Sequence, residues 1–194
     1  MTAGDETLRR RLAAIVASSD ALMAALRAAR ALGLPDWCIG AGAVRSLAWD
    51  HLHALPAPTP LNDIDVVYCD AQADIGADAA LERRLALALP GLRWEVSNQA
   101  HIHHWFARAT GRRVAPLRST EEGVATWPEF ATCVGVRLEA DGALTVIAPH
   151  GLDDLFALLV RHNPLRAGAD TYAQRLREKR WAQRWPRLSI TCAP

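Results

Sequence analysis

The sequence is nearly without lysine: Lys179 is the only lysine among its 22 basic residues. Mechanisms that need a Schiff-base lysine or the lysine of a P-loop therefore have a single candidate side chain. The chain also lacks a charge excess, since its formal net charge is only +1. Proteins that hold long nucleic acids carry a clear basic excess or stripe, so we expect no extended nucleic-acid groove. A short or small partner fits this charge better.

The sequence is also poor in cysteine and in long apolar runs. Its four cysteines are widely scattered, without the CxxC spacing of redox and zinc motifs: Cys38, Cys69, Cys133 and Cys192. This pattern is typical of reduced thiols in a cytoplasmic protein. No stretch reaches the ~20 apolar residues of a membrane span, and the N-terminal segment lacks the apolar core of a signal peptide. We therefore expect a soluble, cytoplasmic protein without membrane contacts.

What is present is enough apolar sequence for one globular domain, with 51% hydrophobic residues in a chain of 194. Residues 1–33 carry apolar side chains at helical spacing and predict one long amphipathic helix. Residues 34–150 alternate strand-like and helical stretches and predict an α/β-like core. Residues 151–194 predict two further helices with a break at His162-Asn163-Pro164. The predicted fold class is α+β: a small mixed β-sheet flanked by helices, with helical N- and C-terminal segments.

Local signals place the strands of this core. Trp37–Gly40 predicts a buried strand that turns sharply into a helix, Asp63–Tyr68 predicts a second strand, and residues 92–96 predict a third. Ser119-Thr120-Glu121-Glu122 is a capping-box pattern before a short helix. Asp141-Gly142 lies between two strand-like runs and predicts a hairpin.

Two aspartates lie two positions apart in the second predicted strand. The side chains of Asp63 and Asp65 therefore leave the same face of the sheet. Like charges this close repel each other, and a fold that keeps both normally neutralises them with a cation or a proton. Hard oxygen ligands favour magnesium. Glu95, in the middle of the third predicted strand, is the expected third carboxylate if the two strands are neighbours.

The turn after the first predicted strand is rich in glycine and suits an anion. In Gly40-Ala41-Gly42, bare backbone amides and a helix N-terminus can bind phosphate oxygens. Arg45, one turn into the helix, can pair with a phosphate. These positions are therefore candidate nucleotide-binding residues.

Other polar residues have two open interpretations. Asn98 and Gln99 follow the third predicted strand, where they either bind base, ribose or acceptor, or cap the next helix. Arg175 and Lys179 lie on a predicted C-terminal helix, either on a solvated basic face or against a triphosphate.

Three histidines lie close together in the sequence, at His101, His103 and His104. No cysteine or carboxylate stands nearby at ligand spacing, so we expect a packing and hydrogen-bonding set rather than a zinc site.

The order of these motifs resembles the DNA polymerase β-type nucleotidyltransferase superfamily, with a glycine-rich strand–helix turn, an Asp-hydrophobic-Asp strand and a further acid. More closely, the chain is similar to a bacterial nucleotidyltransferase-like family over about residues 37–186. Ser97 stands where a lysine is expected in that family. The similarity is carried by Gly40-Ala41-Gly42-Ala43-Val44-Arg45, Asp63-Ile64-Asp65-Val66, Trp94-Glu95-Val96-Ser97-Asn98-Gln99-Ala100-His101-Ile102-His103, Gly135-Val136-Arg137-Leu138, Gly151-Leu152-Asp153-Asp154-Leu155-Phe156, Arg161-His162-Asn163-Pro164, and the spaced residues Tyr172, Arg175, Lys179 and Trp181.

The resemblance implies a single nucleotidyltransferase domain over residues 1–194, with the catalytic core in residues 34–150. It implies that two Mg²⁺ ions, or Mn²⁺, are held by Asp63, Asp65 and Glu95, and that Glu95 helps position and activate the acceptor oxygen. A nucleoside monophosphate, with AMP from ATP as the expected case, would pass from a nucleoside triphosphate to an acceptor hydroxyl. The nucleotide would contact Gly40, Gly42, Arg45, Asn98, Gln99, Arg175 and Lys179.

The acceptor implied by this resemblance is a small molecule, a protein side chain or a short RNA. The alternative from another functional class is a non-catalytic module that keeps the fold and binds a nucleotide or a partner without turnover.

Overall fold

A computed structural model describes residues 3–60 and 63–192, so the expected N- and C-terminal segments are described without residues 1–2 and 193–194. Within these ranges the helices are α1 (Ala3–Ala17), α2 (Asp20–Arg30), α3 (Gly42–Leu52), α4 (Asp78–Ala88), α5 (Ile102–Thr110), α6 (Thr120–Val124), α7 (Asp153–Phe156), α8 (Ala169–Lys179) and α9 (Trp181–Arg184). The strands are β1 (Trp37–Gly40), β2 (Asp63–Tyr68), β3 (Arg93–Asn98), β4 (Gly135–Leu138), β5 (Leu144–Ile147), β6 (Leu159–Val160) and β7 (Ser189–Ile190).

Five strands form one mixed sheet in the order β3-β2-β1-β4-β5. The pair β2 and β3 is parallel, and the other neighbours are antiparallel. Parallel neighbours need a crossover connection, and α4 supplies it while packing against β3. Helices flank this sheet, so the predicted α+β class with a small mixed sheet is confirmed.

The core lies between the sheet and the N-terminal helices. In β2 the side chains of Ile64 and Val66 are fully buried, whereas Asp63 and Asp65 alternate with them and face the other way. Helix α3 packs against α1 and α7, and its Trp49 is fully buried. This packing fixes β2 and the start of α3, the two elements that carry the predicted site.

The stretch that was expected to form one N-terminal helix forms two. Ser19 begins α2, because its hydroxyl accepts a hydrogen bond of 3.3 Å from the Leu22 amide. Serine competes with helical hydrogen bonding in a helix interior and stabilises a helix start.

Among the described residues no single helix is long and apolar enough to cross a bilayer. Helices α1 and α2 meet that requirement only when counted together across a 95° bend.

The C-terminal segment also differs from the two helices expected. Helix α7 has only four residues, and Leu158 then takes a left-handed conformation (φ 56°) that turns the chain into β6. β6 pairs in parallel with β7. The second expected helix is divided into α8 and α9 at Arg180, which is also left-handed (φ 47°). Both breaks depend on the left-handed conformations of Leu158 and Arg180, which the spacing of apolar residues in the sequence does not predict.

Candidate functional site

The parallel pairing of β2 with β3 sets three acidic residues side by side. Asp65 lies directly opposite Glu95, and on its other side it pairs with Gly40 of β1. Asp63, two residues earlier, shares the face of Asp65. All three carboxylates line one cavity of about 390 Å³, here called the carboxylate cavity.

The carboxylate cavity also carries positive charge. Its wall contains Ala41, Gly42 and Arg45 at the start of α3, and two basic residues of α8, Arg175 and Lys179. Its rim and remaining wall are formed by Ala43, Ser46, Thr59, Pro60, Val67, Ser97, Trp127, Pro128 and Thr132. The same cavity therefore holds acidic and basic groups, and the charges of Arg45 and Lys179 act on Asp65.

Asp65 has a perturbed pKa. Its pKa is raised to about 6, first by burial and then by the negative charges of Glu95 and Asp63, against the opposing charges of Arg45 and Lys179. A cation bound between the carboxylates would relieve this repulsion, and their oxygen atoms are the ligands that Mg²⁺ and Mn²⁺ prefer. The chemistry of this donor set therefore fits a divalent cation.

The side chains of the three acids do not converge on one point where they could coordinate a metal ion together. As placed, no three His, Cys, Asp or Glu side chains of the described residues could hold a metal ion together. Glu95 instead forms an ion pair with Arg93, whose side chain is 72% exposed. Such an exposed pair contributes little stability, so Glu95 can leave Arg93 at small cost.

The first turn of α3 offers free backbone amides to the cavity. No side chain caps this helix, and Ala41 at the cap position is held at φ 50°. Gly42 and Ala43 line the cavity, where unpaired amides and the positive end of the helix dipole attract an anion.

Gly40, predicted to contact nucleotide, has a packing role. A Cβ at this position would lie 2.4 Å from the ring of Trp127 and 3.0 Å from the carbonyl oxygen of Val134. Only glycine fits between β1 and these neighbours, and Gly40 is not among the residues that line the cavity.

Arg45 is a buried cation that has no carboxylate partner in residues 3–60 and 63–192. It is 6% exposed, and its guanidinium lies 5.1 Å from the ring centre of Trp49 and 4.7 Å from that of Trp181. Among the described residues it donates only to the hydroxyls of Thr132 (3.3 Å) and Ser46 (3.4 Å), and its Nε has no partner there. Burial lowers its pKa to about 10, so it stays charged at neutral pH. A buried charge with unused donors at a cavity wall suits an anionic ligand.

The two basic residues of α8 differ in their partners. Arg175 donates to the carboxylate of Glu129 from Nε (2.6 Å) and Nη2 (3.2 Å), and Glu129 is fully buried. Lys179 has no ion pair in the part of the chain that the structure describes. Arg175 is thus fixed in place, while Lys179 is available to a ligand.

Asn98 and Gln99 are not in the carboxylate cavity. The side-chain oxygen Oδ1 of Asn98 accepts hydrogen bonds from the backbone amides of Asp70 and Ala100, both at 3.1 Å. It thereby caps the 3-10 turn Gln99–His101. The side-chain amide of Gln99 donates from Nε2 to the Ser97 hydroxyl at 3.0 Å. The Asn98 side chain therefore caps the following turn, whereas the Gln99 side chain bonds back to Ser97 and caps no helix.

The structure also places the three predicted histidines and shows partners of Arg45 and Arg175 that the sequence did not indicate. The rings of His103 and His104 lie 3.9 Å apart, next to His101, in a packing set. Ser46 and Thr132, which bond to Arg45, had no sequence signal beyond the proximity of Ser46 to the glycine-rich turn. Nor could spacing alone reveal Glu129, whose partner Arg175 is 46 residues away.

Comparison with known proteins places this geometry in a family. An NMR structure described as revealing a CCA-adding enzyme head domain matches with a TM-score of 0.79 and 28% identity, covering 94% of this chain and 95% of that one. The Thermotoga maritima CCA-adding enzyme complexed with tRNA, and a CCA-adding enzyme with CTP, each match 94% of this chain with a TM-score of 0.55 and 16% identity. This chain covers only 42% and 43% of those two chains, and the likeness shows the fold alone.

No curated protein sequence matches this chain significantly. A family model described as nucleotidyltransferase matches residues 27–190, which include every residue that lines the carboxylate cavity. The chain therefore belongs to this nucleotidyltransferase family.

Proposed function

We propose that this protein transfers AMP from ATP to an acceptor hydroxyl in a reaction that uses two Mg²⁺ ions. One observation carries the proposal: a single cavity is lined both by three carboxylates and by Arg45 and Lys179, neither of which has a carboxylate partner among the described residues. One side of the cavity suits divalent cations and the other suits a polyphosphate. Metal-nucleotide complexes combine both kinds of charge.

The cation side consists of Asp63 and Asp65, with Glu95 as the third ligand once it leaves Arg93. Bound Mg²⁺ supplies neutralising charge to the phosphate oxygens and orients the reacting groups. Mn²⁺ uses the same oxygen ligands and is the natural substitute. Glu95 also lies where it can position the acceptor hydroxyl, because its neighbour Asp65 holds the reacting end of the nucleotide.

The phosphate side consists of the α3 N-terminus with Gly42, together with Arg45 and Lys179. Contact with the rings of Trp49 and Trp181 restricts the Arg45 guanidinium before the nucleotide arrives, so little side-chain entropy is lost on binding. Arg175, held by Glu129, adds a second guanidinium at the same wall. These groups bind the leaving pyrophosphate as its charge develops.

The reaction forms one bond and breaks another at the α-phosphorus. The acceptor oxygen bonds to this phosphorus, the bond from the phosphorus to the oxygen that bridges to the β-phosphate breaks, and pyrophosphate leaves. The hydroxyl proton passes to Glu95. The acceptor is a small molecule, a protein side chain or a short RNA.

Labelled ATP tests this proposal. The full chain is incubated with Mg²⁺, with α- or γ-labelled ATP, and with acceptors from these three classes. We expect transfer of the α-label alone, loss of transfer without Mg²⁺, and loss in Asp63→Asn. The charge-matched control Glu121→Gln lies on exposed α6 surface and should transfer normally. Tight binding of Mg²⁺-ATP without transfer to any acceptor class would favour the non-catalytic module.

A further inference from the structure

A buried aspartate in the last turn of α3 holds the loop that leads to β2. The side chain of Asp50 is 5% exposed and has no cationic partner among the described residues. Its Oδ2 accepts a hydrogen bond from the Thr59 backbone amide (2.5 Å). Its Oδ1 accepts from the Thr59 hydroxyl (2.7 Å) and from Nε1 of Trp185 (2.9 Å). These three donors satisfy a buried charge, and two of them fix Thr59 to α3.

The loop that Asp50 holds is stiff and returns to the carboxylate cavity. Three of its residues at positions 53–60 are prolines, whose rings fix φ. The last of them, Pro60, also restricts Thr59 to extended conformations. Residues 56–58 are exposed, whereas Thr59 and Pro60 line the carboxylate cavity. Thr59 is therefore held at the cavity wall before a ligand arrives.

The described residues contribute four hydroxyl side chains to the lining of the carboxylate cavity, and their hydrogen bonds differ. The hydroxyls of Ser46 and Thr132 accept from the Arg45 guanidinium. The hydroxyl of Ser97 accepts from a side-chain amide. Each of these three keeps a proton that it can donate to a ligand. The Thr59 hydroxyl instead donates its single proton to the buried carboxylate, so it can offer a ligand only lone pairs.

The lone pairs of Thr59 restrict which part of a nucleotide it can contact. Phosphate oxygens accept hydrogen bonds, so they match the guanidinium and the three donor hydroxyls and do not match Thr59. The hydrogen-bond donors of ATP are the ribose hydroxyls and the adenine amino group. The ribose is bonded directly to the α-phosphate, the group that reacts beside Asp63 and Asp65 in the proposed function. Thr59 precedes Asp63 by four residues, which span ~14 Å at most. A ribose hydroxyl therefore fits Thr59 better than the more distant amino group.

We propose that Thr59, positioned by Asp50, accepts a hydrogen bond from a ribose hydroxyl of the bound nucleotide. This contact makes the site prefer ribonucleotides to their deoxy analogues, because an analogue without the hydroxyl leaves the Thr59 acceptor unpaired. The proposal rests on the proposed function, since it requires a nucleotide in the carboxylate cavity. Asp50 is a positioning residue that acts through Thr59.

Isothermal titration of the full chain with ATP, 2′-deoxy-ATP and 3′-deoxy-ATP, each with Mg²⁺, tests this contact. We expect wild type to bind ATP about two- to tenfold more tightly than the analogue that lacks the contacted hydroxyl, the gain expected from one hydrogen bond between neutral groups. Thr59→Val keeps the side-chain size and removes the hydroxyl, so it should bind ATP and both analogues equally. Thr59→Ser keeps the hydroxyl and should keep the preference for ATP.

Two further variants are controls that should keep the wild-type preference. Thr7→Val makes the same chemical change at an exposed hydroxyl of α1, which bonds to the Ala3 carbonyl at 3.0 Å. Trp185→Phe removes a donor to Asp50 and leaves both bonds between Asp50 and Thr59 in place.

Asp50→Asn tests the positioning role. Its amide nitrogen cannot accept from Thr59, so the loop is held at fewer points and the preference for ATP should fall toward that of Thr59→Val. Circular dichroism verifies that each variant is folded, and Thr59→Val alone decides the ribose contact if Asp50→Asn does not fold.

The ratio of affinities separates failure of this proposal from failure of the proposed function. If Mg²⁺-ATP and both deoxy analogues bind wild type equally, or Thr59→Val weakens all three by the same factor, the ribose contact is overturned and the proposed function stands. A Thr59→Val protein that instead loses discrimination between ATP and inosine triphosphate, which lacks the amino group, would place Thr59 at the base and also overturn it. A Thr59-dependent preference without transfer of the α-label would support the ribose contact and contradict the proposed function. Absence of binding by every triphosphate would contradict both.

Discussion

Replacing Asp65 by asparagine should stabilise the metal-free protein while it removes a metal ligand. In the folded chain the pKa of Asp65 is raised from 3.8 to about 6, because burial and two neighbouring carboxylates disfavour its charged form. The folded state therefore binds this proton more tightly than the unfolded state does. Its stability falls as pH rises between about 4 and 6, and the full cost is present above pH 6.

The size of this effect follows from the pKa change. The shift of the Asp65 pKa corresponds to about 3 kcal/mol at neutral pH, and solvent screening of the partly exposed carboxyl reduces this to about 1–3 kcal/mol. Asp65→Asn keeps the side-chain size and removes the charge. For a chain of this length the gain corresponds to a Tm increase of roughly 2–10 °C.

Urea unfolding at pH 4 and pH 7, in the presence of a chelator, measures this difference. We expect Asp65→Asn and wild type to be alike at pH 4 and the variant to be more stable at pH 7. Asp63→Asn is the matched control: Asp63 is exposed, so its removal should give a smaller gain. Millimolar Mg²⁺ should stabilise wild type and leave Asp65→Asn unchanged. An Asp65→Asn protein less stable than wild type at pH 7 without metal would refute this reasoning.

Three further predictions concern the cation wall and the packing behind it. Arg45→Met should leave stability unchanged or raised, because Arg45 forms no ion pair with any described residue, yet abolish stabilisation by Mg²⁺-ATP in thermal melts. Glu129→Gln should lower the free energy of unfolding in urea by about 1–3 kcal/mol, and adding Arg175→Met should recover part of this loss. Additive effects of the two substitutions in the double variant would contradict the pairing. Gly40→Ala should cost about 1–3 kcal/mol through its clash with Trp127, and Trp127→Leu in the same chain should reduce that cost.

The part of the site that lies on neighbouring strands could be predicted from the sequence. Strand periodicity puts Asp63 and Asp65 on one face, and a helical crossover between two strands favours parallel neighbours, which brings Glu95 beside Asp65. The glycine-rich turn likewise predicts the start of α3. These features depend on local backbone geometry and on a short connection.

The contributions of distant segments could not be predicted in the same way. Arg175 and Lys179 reach the cavity because α8 is held against distant segments, through Arg175 to Glu129 and through the Tyr172 hydroxyl to the Val160 carbonyl, and helical spacing alone is equally compatible with a solvated face. The position of Arg45 against Trp49 and Trp181 depends on α9, because Trp181 lies 136 residues after Arg45 in the sequence. Asn98 and Gln99 had the right residue types for ligand contacts, but nearby backbone groups use their hydrogen-bonding capacity.

The central claim is that one cavity binds a nucleoside triphosphate together with Mg²⁺, and thermal unfolding against each of the four triphosphates, with and without Mg²⁺, tests it most directly. We predict a rise in Tm with ATP only when Mg²⁺ is present, equivalent to about 2.7 kcal/mol at a hundredfold excess over Kd, and its loss in Asp63→Asn. An equal rise with ATP alone, or an unchanged Tm with every triphosphate and Mg²⁺, would contradict the account.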